Sequence, residues 1–330
     1  MSAIIICVVV IALAFEFING FHDTANAIAT TVYTKALKLG QAIALAAAMN
    51  FLGALISENV AKTITSGLVA IEVEEYVVLA ALVGAIIWNL FTWWRGIPSS
   101  SSHALIGSLL GAVMVYTLSL GDIKWDGVLS KVIIPLFTSP LIGFFVAFGI
   151  MKLMYKVFAN RPRRRVNGVF HRLQIGSAAF FAFSHGTNDA QKTMGIITLA
   201  LISGGLTGTA DGIPLWVKIL CATAMAAGTA AGGKRIMKTM GHGVTKLEPS
   251  SGFVAETSSA LVIEAMSFLG SPISTTHVIS SAIMGVGSAK RLSAVKWRTA
   301  RDLVLTWVIT LPAAIAFGGA SLFVLRFFFG

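Results

Sequence analysis

The chain has 330 residues, of which 56% are hydrophobic and only 12% charged, with a mean hydropathy of +0.82. Soluble globular domains carry about 25% charged residues, so this composition excludes one and leaves a polytopic protein embedded in a lipid bilayer. The net charge of +11 points to no nucleic-acid partner, because its densest run, Arg161 to Arg165, lacks interleaved aromatics and lies between apolar segments, where basic loops set orientation and meet anionic lipid.

A bilayer span needs about 20 apolar residues. Such stretches are predicted at residues 3–19, 40–56, 77–94, 103–120, 132–155, 174–201, 215–232, 253–269, 278–288 and 303–328. Two of these are long or interrupted enough to count twice, which predicts 10–12 membrane segments. The first contains Ala12-Leu13-Ala14, which resembles a cleavage site, but no Lys or Arg precedes Lys35, and a secretory leader begins with basic residues. It is read as a retained span. Cys7 and Cys221 sit in apolar runs, where a free Cys acts as a small buried hydrophobe; neither a disulfide nor a metal site is expected of them.

Four polar interruptions follow in chain order. The first is Asn19-Gly20-Phe21-His22-Asp23-Thr24-Ala25-Asn26, and the second is the turn Pro98-Ser99-Ser100-Ser101-Ser102-His103. The third, His185-Gly186-Thr187-Asn188-Asp189-Ala190-Gln191-Lys192, repeats the first; the fourth, Pro272-Ile273-Ser274-Thr275-Thr276-His277, repeats the second. Asp23 and Asp189 are 166 positions apart, His103 and His277 174, Lys62-Thr63 and Lys238-Thr239 176, and Pro140 and Pro312 172. A nearly constant offset over half the chain predicts an internal repeat, with residues 1–157 and 173–330 as its two copies and 158–172 as a basic linker.

Cytoplasmic loops are enriched in Lys and Arg. The central loop, with Lys152, Lys156, Arg161, Arg163, Arg164, Arg165 and Arg172, is therefore read as cytoplasmic, together with the groups Lys234, Arg235, Lys238, Lys246 and Lys290, Arg291, Lys296, Arg298, Arg301. The acidic stretches around Glu72 to Glu75, Asp122 and Asp126, and Asp211 are read as outside. The N-terminus then starts outside, and the two copies run through the membrane in opposite senses. The predicted fold is an all-α polytopic membrane protein of two inverted-topology repeats, with helices broken at the Asp clusters and helical hairpins at the Pro-Ser/Thr turns. Repeats with polar breaks in matching positions are the pattern of secondary transporters.

Each cluster has a chemistry. A carboxylate inside a bilayer costs several kcal/mol on most scales and faces a partner or a water-filled cavity. Gly and Asn beside Asp23 and Asp189 are expected to loosen helix there and free backbone groups for ions. The turns place Pro98 and Pro272 at first helical positions, with hydroxyls capping helices that begin near His103 and His277. Amides and hydroxyls at a helix start can hold an oxyanion. Carboxylates repel an anion that such helix starts attract, and the conflict disappears if cations enter with it, each ligand strengthening the other's binding. A carboxylate acceptor also favours phosphate, which carries a proton at neutral pH, over sulfate.

Other residues leave alternatives open. Lys192 can pair with Asp189 one turn away or meet the anion. His103 and His277 can be proton carriers or structural hydrogen-bonders, Glu16 a packing or a vestibule residue, and Arg95 a re-entrant or an interfacial one. No spacing around His22 or His185 favours a metal site. An intramembrane hydrolase is disfavoured because no nucleophile–base motif occurs, and an anion channel because a channel needs no carboxylates at an anion site.

Over essentially its whole length the chain resembles the inorganic phosphate transporter (PiT) family. The resemblance rests on Gly20-Phe21-His22-Asp23-Thr24-Ala25-Asn26-Ala27, on Gly186-Thr187-Asn188-Asp189-Ala190-Gln191-Lys192-Thr193-Met194-Gly195, and on the two Pro-Ser/Thr turns. Phe21-His22 stands where that family usually has Ala-Asn. The resemblance implies an inverted-repeat fold, no enzymatic activity, import of phosphate with Na+ or H+ as coupling ion, no other cofactor, a homodimer and a multi-pass location in the plasma membrane. A sulfate permease is also known in the family, which keeps sulfate as the alternative substrate. It matches Asp23 and Asp189 to essential aspartates, Ser100 and Ser274 to serines implicated in transport, and Glu256 to a glutamate whose first-half partner falls near Asn50. The expected cation residues are Asp23, Asp189 and Glu256, with Na+ at Asp23, Asn26, Asn188 and Asp189. The expected substrate residues are Asn26, Ser100, Ser101, Ser102, Asn188, Gln191, Lys192, Ser274, Thr275 and Thr276.

Overall fold

A computed structural model describes residues 2–71, 73–208, 211–231 and 244–329, with the side chains at 24–27, 163 and 329 outside the description. Lys234, Arg235, Lys238 and Thr239, used above for topology and for the repeat, lie outside the described residues. Apart from one isolated bridge between Val69 and Ile123, the regular elements of the described residues are helices. In order come α1 (Ala3–Tyr33), α2 (Leu39–Ala54), α3 (Asn59–Ser66), α4 (Glu75–Arg95), α5 (Ser101–Thr117), α6 (Trp125–Val157), α7 (Arg163–Ser203), α8 (Leu215–Ala231), α9 (Pro249–Phe268), α10 (Thr275–Lys290) and α11 (Trp297–Phe329).

Among the described residues, α1, α4, α6 and α11 are each long and apolar enough to cross a membrane, and α2 with α3 forms a pair, bent by 63°, that meets the same test together. The other stretches form shorter or more polar helices. Two of these, α5 and α10, are buried along most of their length, α5 against α11 and α10 against α6. They touch protein rather than lipid, so they can carry the Ser and Thr that a lipid-facing helix cannot. The outer helices show the reverse pattern, with Phe137, Leu141 and Phe145 of α6 and Leu305, Ile309 and Phe323 of α11 all exposed.

The helices are not broken at the Asp clusters. α1 runs through Gly20 to Asn26 and α7 through Gly186 to Lys192 without interruption. The glycines there admit a neighbouring backbone instead. A Cβ on Gly20 would lie 2.5 Å from Met225 O of α8, and one on Gly228 of α8 2.1 Å from Phe17 O of α1. The same crossing recurs where α7 meets α2: Gly186 faces Asn50 O at 2.3 Å and Gly53 faces Phe183 O at 2.1 Å. Small residues at such crossings let membrane helices approach where lipid gives no hydrophobic drive for association.

The breaks fall at the turns. Gly96 (φ 67°) and Gly270 (φ 69°) end the preceding helices in the left-handed conformation, which glycine adopts without a Cβ penalty. Pro98 and Pro272 follow in the links, two residues ahead of the caps Ser100 and Ser274. They are therefore not first helical residues as expected: the hydroxyl residue takes the cap, and proline holds the link before it extended. The basic segment 158–172 is likewise not all linker, since α7 starts at Arg163 and its arginines form the opening turns, where Arg is a good helix former.

Gly53→Ala and Gly40→Ala change the same helix in the same way, but the first puts a methyl onto Phe183 O while the second meets nothing within 4 Å. Thermal unfolding in detergent is expected to show Gly53→Ala destabilised by about 1–3 kcal/mol, the usual cost of overpacking, and Gly40→Ala equal to or slightly above the parent.

Candidate functional site

Four helices from both ends of the sequence deliver their polar residues to one buried region. Asp23 on α1 and Asp189 on α7 are 2% and 0% exposed. One carboxylate oxygen from each, with a ring nitrogen of His185, lie within 4.8 Å of one another. His185 is one turn before Asp189, its Nε2 3.2 Å from Asp189 Oδ2. Its other nitrogen, Nδ1, donates to Asn50 Oδ1 at 3.1 Å, and Asn50 in turn donates to Thr229 (3.0 Å). With Nδ1 carrying the hydrogen, neutral His185 turns the Nε2 lone pair toward the carboxylates. Three acceptors then converge, an arrangement suited to a cation. No spacing within one segment shows this group, because Asp23 comes from another helix than His185 and Asp189.

The carboxylates are not bare. Lys192, one turn beyond Asp189, donates to Asp189 Oδ1, to Ser102 Oγ and to the Ile273 carbonyl (3.1 Å). Its three hydrogens are thereby placed, and the pairing alternative holds. Asp23 meets His22 Nδ1 at 2.8 Å, and His22 Nε2 lies 3.2 Å from Thr92 Oγ1, which accepts from Ser99 (2.8 Å).

The two turns close the region. Ser100 and Ser274 cap their helices, accepting from the backbone amides of His103 (3.1 Å) and His277 (3.2 Å). The first amides of α5 and α10 have no intrahelical acceptor and belong to Ser101, Ser102, Thr275 and Thr276. Thr275 donates to Asp189 Oδ2 (3.2 Å) and Thr276 to Asp23 Oδ1 (3.4 Å), so the start of α10 spans both aspartates. Ser102 donates to the Ile273 carbonyl (3.0 Å), tying the start of α5 to the link before α10, while the buried Ser101 hydroxyl has no partner among the described residues.

Other expected residues are placed differently. Gln191 accepts from the amides of Val60 and Ala61 (2.8 and 3.2 Å) and donates to Thr187 O, so it caps α3. Asn188 donates to Ser267 Oγ (2.7 Å), and its Oδ1 is buried without a partner among the described residues. The side chain of Asn26 lies outside the described residues. Glu256, fully buried, accepts from Thr30 (2.5 Å), Thr31 (2.9 Å), Gln174 (3.0 Å) and Ser177 (2.5 Å). It sits on α9, the helix before the second turn, 18 residues ahead of the cap serine; the position 18 residues ahead of Ser100 on α4 is Leu82. Asn50 is on α2, where it donates to Thr229 and accepts from His185. His103 and His277 stack on each other (ring centroids 5.1 Å apart) and His277 on Trp307 (4.4 Å). None of their ring nitrogens has a hydrogen-bond partner among the described residues, so they pack rather than bond. Thr92 and Thr229, which support His22 and Asn50, were left unassigned by sequence reasoning, since only folding brings them there.

Residues 19–318 match the phosphate transporter family. The chain belongs to that family. Over 327 residues it is 48% identical to a Bacillus subtilis protein named "Probable low-affinity inorganic phosphate transporter", covering 98% of each chain. A Rhizobium meliloti protein of the same name is 46% identical over 94% of this chain and 93% of its own. Among solved structures, one described as "The sodium-dependent phosphate transporter" superposes with a TM-score of 0.84 at 27% identity, covering 99% of this chain and 100% of that one. Membership in a family of transporters makes this an integral membrane transport protein and sets the hydrolase reading aside.

Replacing Lys192 by Met leaves Asp189 without its ammonium in a buried site. Thermal unfolding in detergent is expected to show a loss of about 3–5 kcal/mol, with most of it recovered when Asp189→Asn is added, since removing both charges of a buried pair is far cheaper than removing one.

Proposed function

We propose that this protein imports inorganic phosphate across the cell membrane in symport with Na+, the cation resting between Asp23, His185 and Asp189 and the oxyanion at the starts of α5 and α10. The observation that carries this reading is the meeting, within 4.8 Å, of Asp23 with His185 and Asp189 across 166 positions of sequence. The sodium dependence stated for the structural neighbour favours Na+ over H+ at this position.

Charge arithmetic supports a joint site. Two aspartates and one lysine leave a single net negative charge when both histidines are neutral, and one Na+ cancels it. An anion then meets amides and hydroxyls with the opposing carboxylate field removed. A protonated oxygen of phosphate can donate to a carboxylate, which sulfate cannot match. Ser101 and the open acceptor of Asn188 are the side chains best placed to complete the two ligand shells, being buried with capacity left over.

The halves 1–157 and 173–330 act as inverted repeats in this proposal. The paired contacts support it: α1 with α8 and α7 with α2, α5 with α11 and α10 with α6, and α4 with α5 and α9 with α10. Motion of one bundle against the other about the shared site then gives alternating access. The basic segment at the start of α7 faces the cytoplasm and the N-terminus faces outside, following the placement of Lys and Arg.

In proteoliposomes, labelled phosphate uptake is expected to rise with an inward Na+ gradient, to resist competition by sulfate, and to be abolished by Asp189→Asn in protein that still inserts and folds. Normal uptake by that variant would remove the aspartate from the mechanism.

A further inference from the structure

One carboxyl in the membrane interior has no part in the site described above. Glu16 lies on α1, two turns before Asp23, and is fully buried. Its Oε2 accepts from the Thr193 hydroxyl on α7, while its Oε1 has no partner among the described residues. One turn further along α1, the Asn19 side chain interacts with the Glu16 carboxyl, and the Asn19 oxygen is also buried and without a partner among the described residues. A buried carboxyl oxygen that lacks a donor is costly in a protein interior, and the more so when the group is ionised. A proton on the carboxyl removes the charge.

No counter-ion competes for that role. Among the described residues Glu16 enters no ion pair, and Lys192, the cation nearest in sequence to Thr193, has its three hydrogens on Asp189, Ser102 and the Ile273 carbonyl. The helices packed against α1 are α8, α4, α7 and α2, with lesser contacts to α9 and α10. From α7, Asp189 and Lys192 act on Glu16 at longer range, and from α8 Cys221 does. In α4 titratable groups occur only at the ends, as Glu75, Tyr76 and Arg95, and α2 has none. Glu256 of α9 is held by its own four donors, and His277 of α10 lies in the imidazole stack. An ionised Glu16 would thus be an uncompensated charge in a low-dielectric interior, with the Asp189 carboxylate nearby. Sodium fits poorly, since Glu16, Asn19 and Thr193 supply fewer oxygens than a dehydrated ion needs.

We infer that Glu16, together with Asn19, is a proton-binding site of the transport cycle, separate from the cation site at Asp23 and Asp189. The proton enters from one face, resides on Glu16 Oε1, and leaves at the other face when α1 shifts against α7. This rests on the transport reading, and its test has one arm that does not.

The informative variant is Glu16→Gln, whose amide is neutral like the protonated acid and whose oxygen still accepts from Thr193. In the infrared spectrum of purified protein near neutral pH, the parent is expected to show a protonated-carboxyl C=O band that is missing in Glu16→Gln, whose thermal stability stays equal or rises. In proteoliposomes, parent uptake falls with rising pH more steeply than the titration of phosphate itself requires, whereas Glu16→Gln follows phosphate alone and moves one H+ fewer per phosphate; Glu16→Asp restores the steeper limb. Loss of net uptake with phosphate–phosphate exchange retained supports the proposal equally, because a side chain that cannot shed its proton blocks only the empty return. Absence of the infrared difference, an unchanged pH profile and H+ count, or loss of exchange together with net uptake in folded Glu16→Gln would overturn the proposal. If the parent itself takes up no phosphate, the transport reading fails while the infrared arm still decides whether Glu16 holds a proton.

Discussion

The interior depends on the compensation of Asp189. A carboxylate removed from water into a membrane protein is tolerable only with charge and hydrogen bonds around it. Asp189 receives the Lys192 ammonium and the Thr275 hydroxyl. Those partners stand on α7 itself and on the start of α10, and Lys192 extends the network to Ser102 at the start of α5. Holding one charge in place therefore holds together the cap regions of two helices that belong to different halves of the chain.

Close backbone approach makes this possible. The four glycines at the α1–α8 and α7–α2 crossings bring carbonyls of one helix against the Cα of the other. α1 and α7 are the helices that carry Asp23 and Asp189, so the crossings set the depth at which the carboxylates meet. Glycine in a helix interior weakens it by roughly 1 kcal/mol in water, but in lipid a helix cannot exchange its backbone bonds for water. That is why α1 and α7 stay continuous through sequences that would fray elsewhere.

The site resolves an electrostatic conflict by dividing its charges. Lys192 cancels one carboxylate permanently, His22 and Thr276 flank the other, and the helix starts of α5 and α10 supply partial positive charge without a full cation. What remains is a region near neutrality, with two carboxylates set against one ammonium. Glu256 and Glu16 stand apart from this exchange, the first wrapped in hydroxyl and amide donors and the second short of one.

Composition by itself determined that the chain lives in a membrane, because no polar surface is available to cover a soluble body of this size. Repetition of the Asp clusters and Pro-Ser/Thr turns singled out the segments that the fold brings into one buried region, since polar groups in lipid must find partners in the protein. That hydroxyls of the two turns cap the following helices was legible as well, capping being a matter of three or four consecutive residues, whereas the choice of Ser100 and Ser274, two residues beyond the prolines, was not. Only the tertiary structure decided that the Asp clusters stay helical, that Gln191 caps α3, that Glu256 is wrapped by four donors, and that His185 meets two aspartates. Each of those depends on which backbone or side chain arrives from a distant segment, and a local pattern such as Gly beside Asn reads the same whether the glycine bends a helix or lets another one pass.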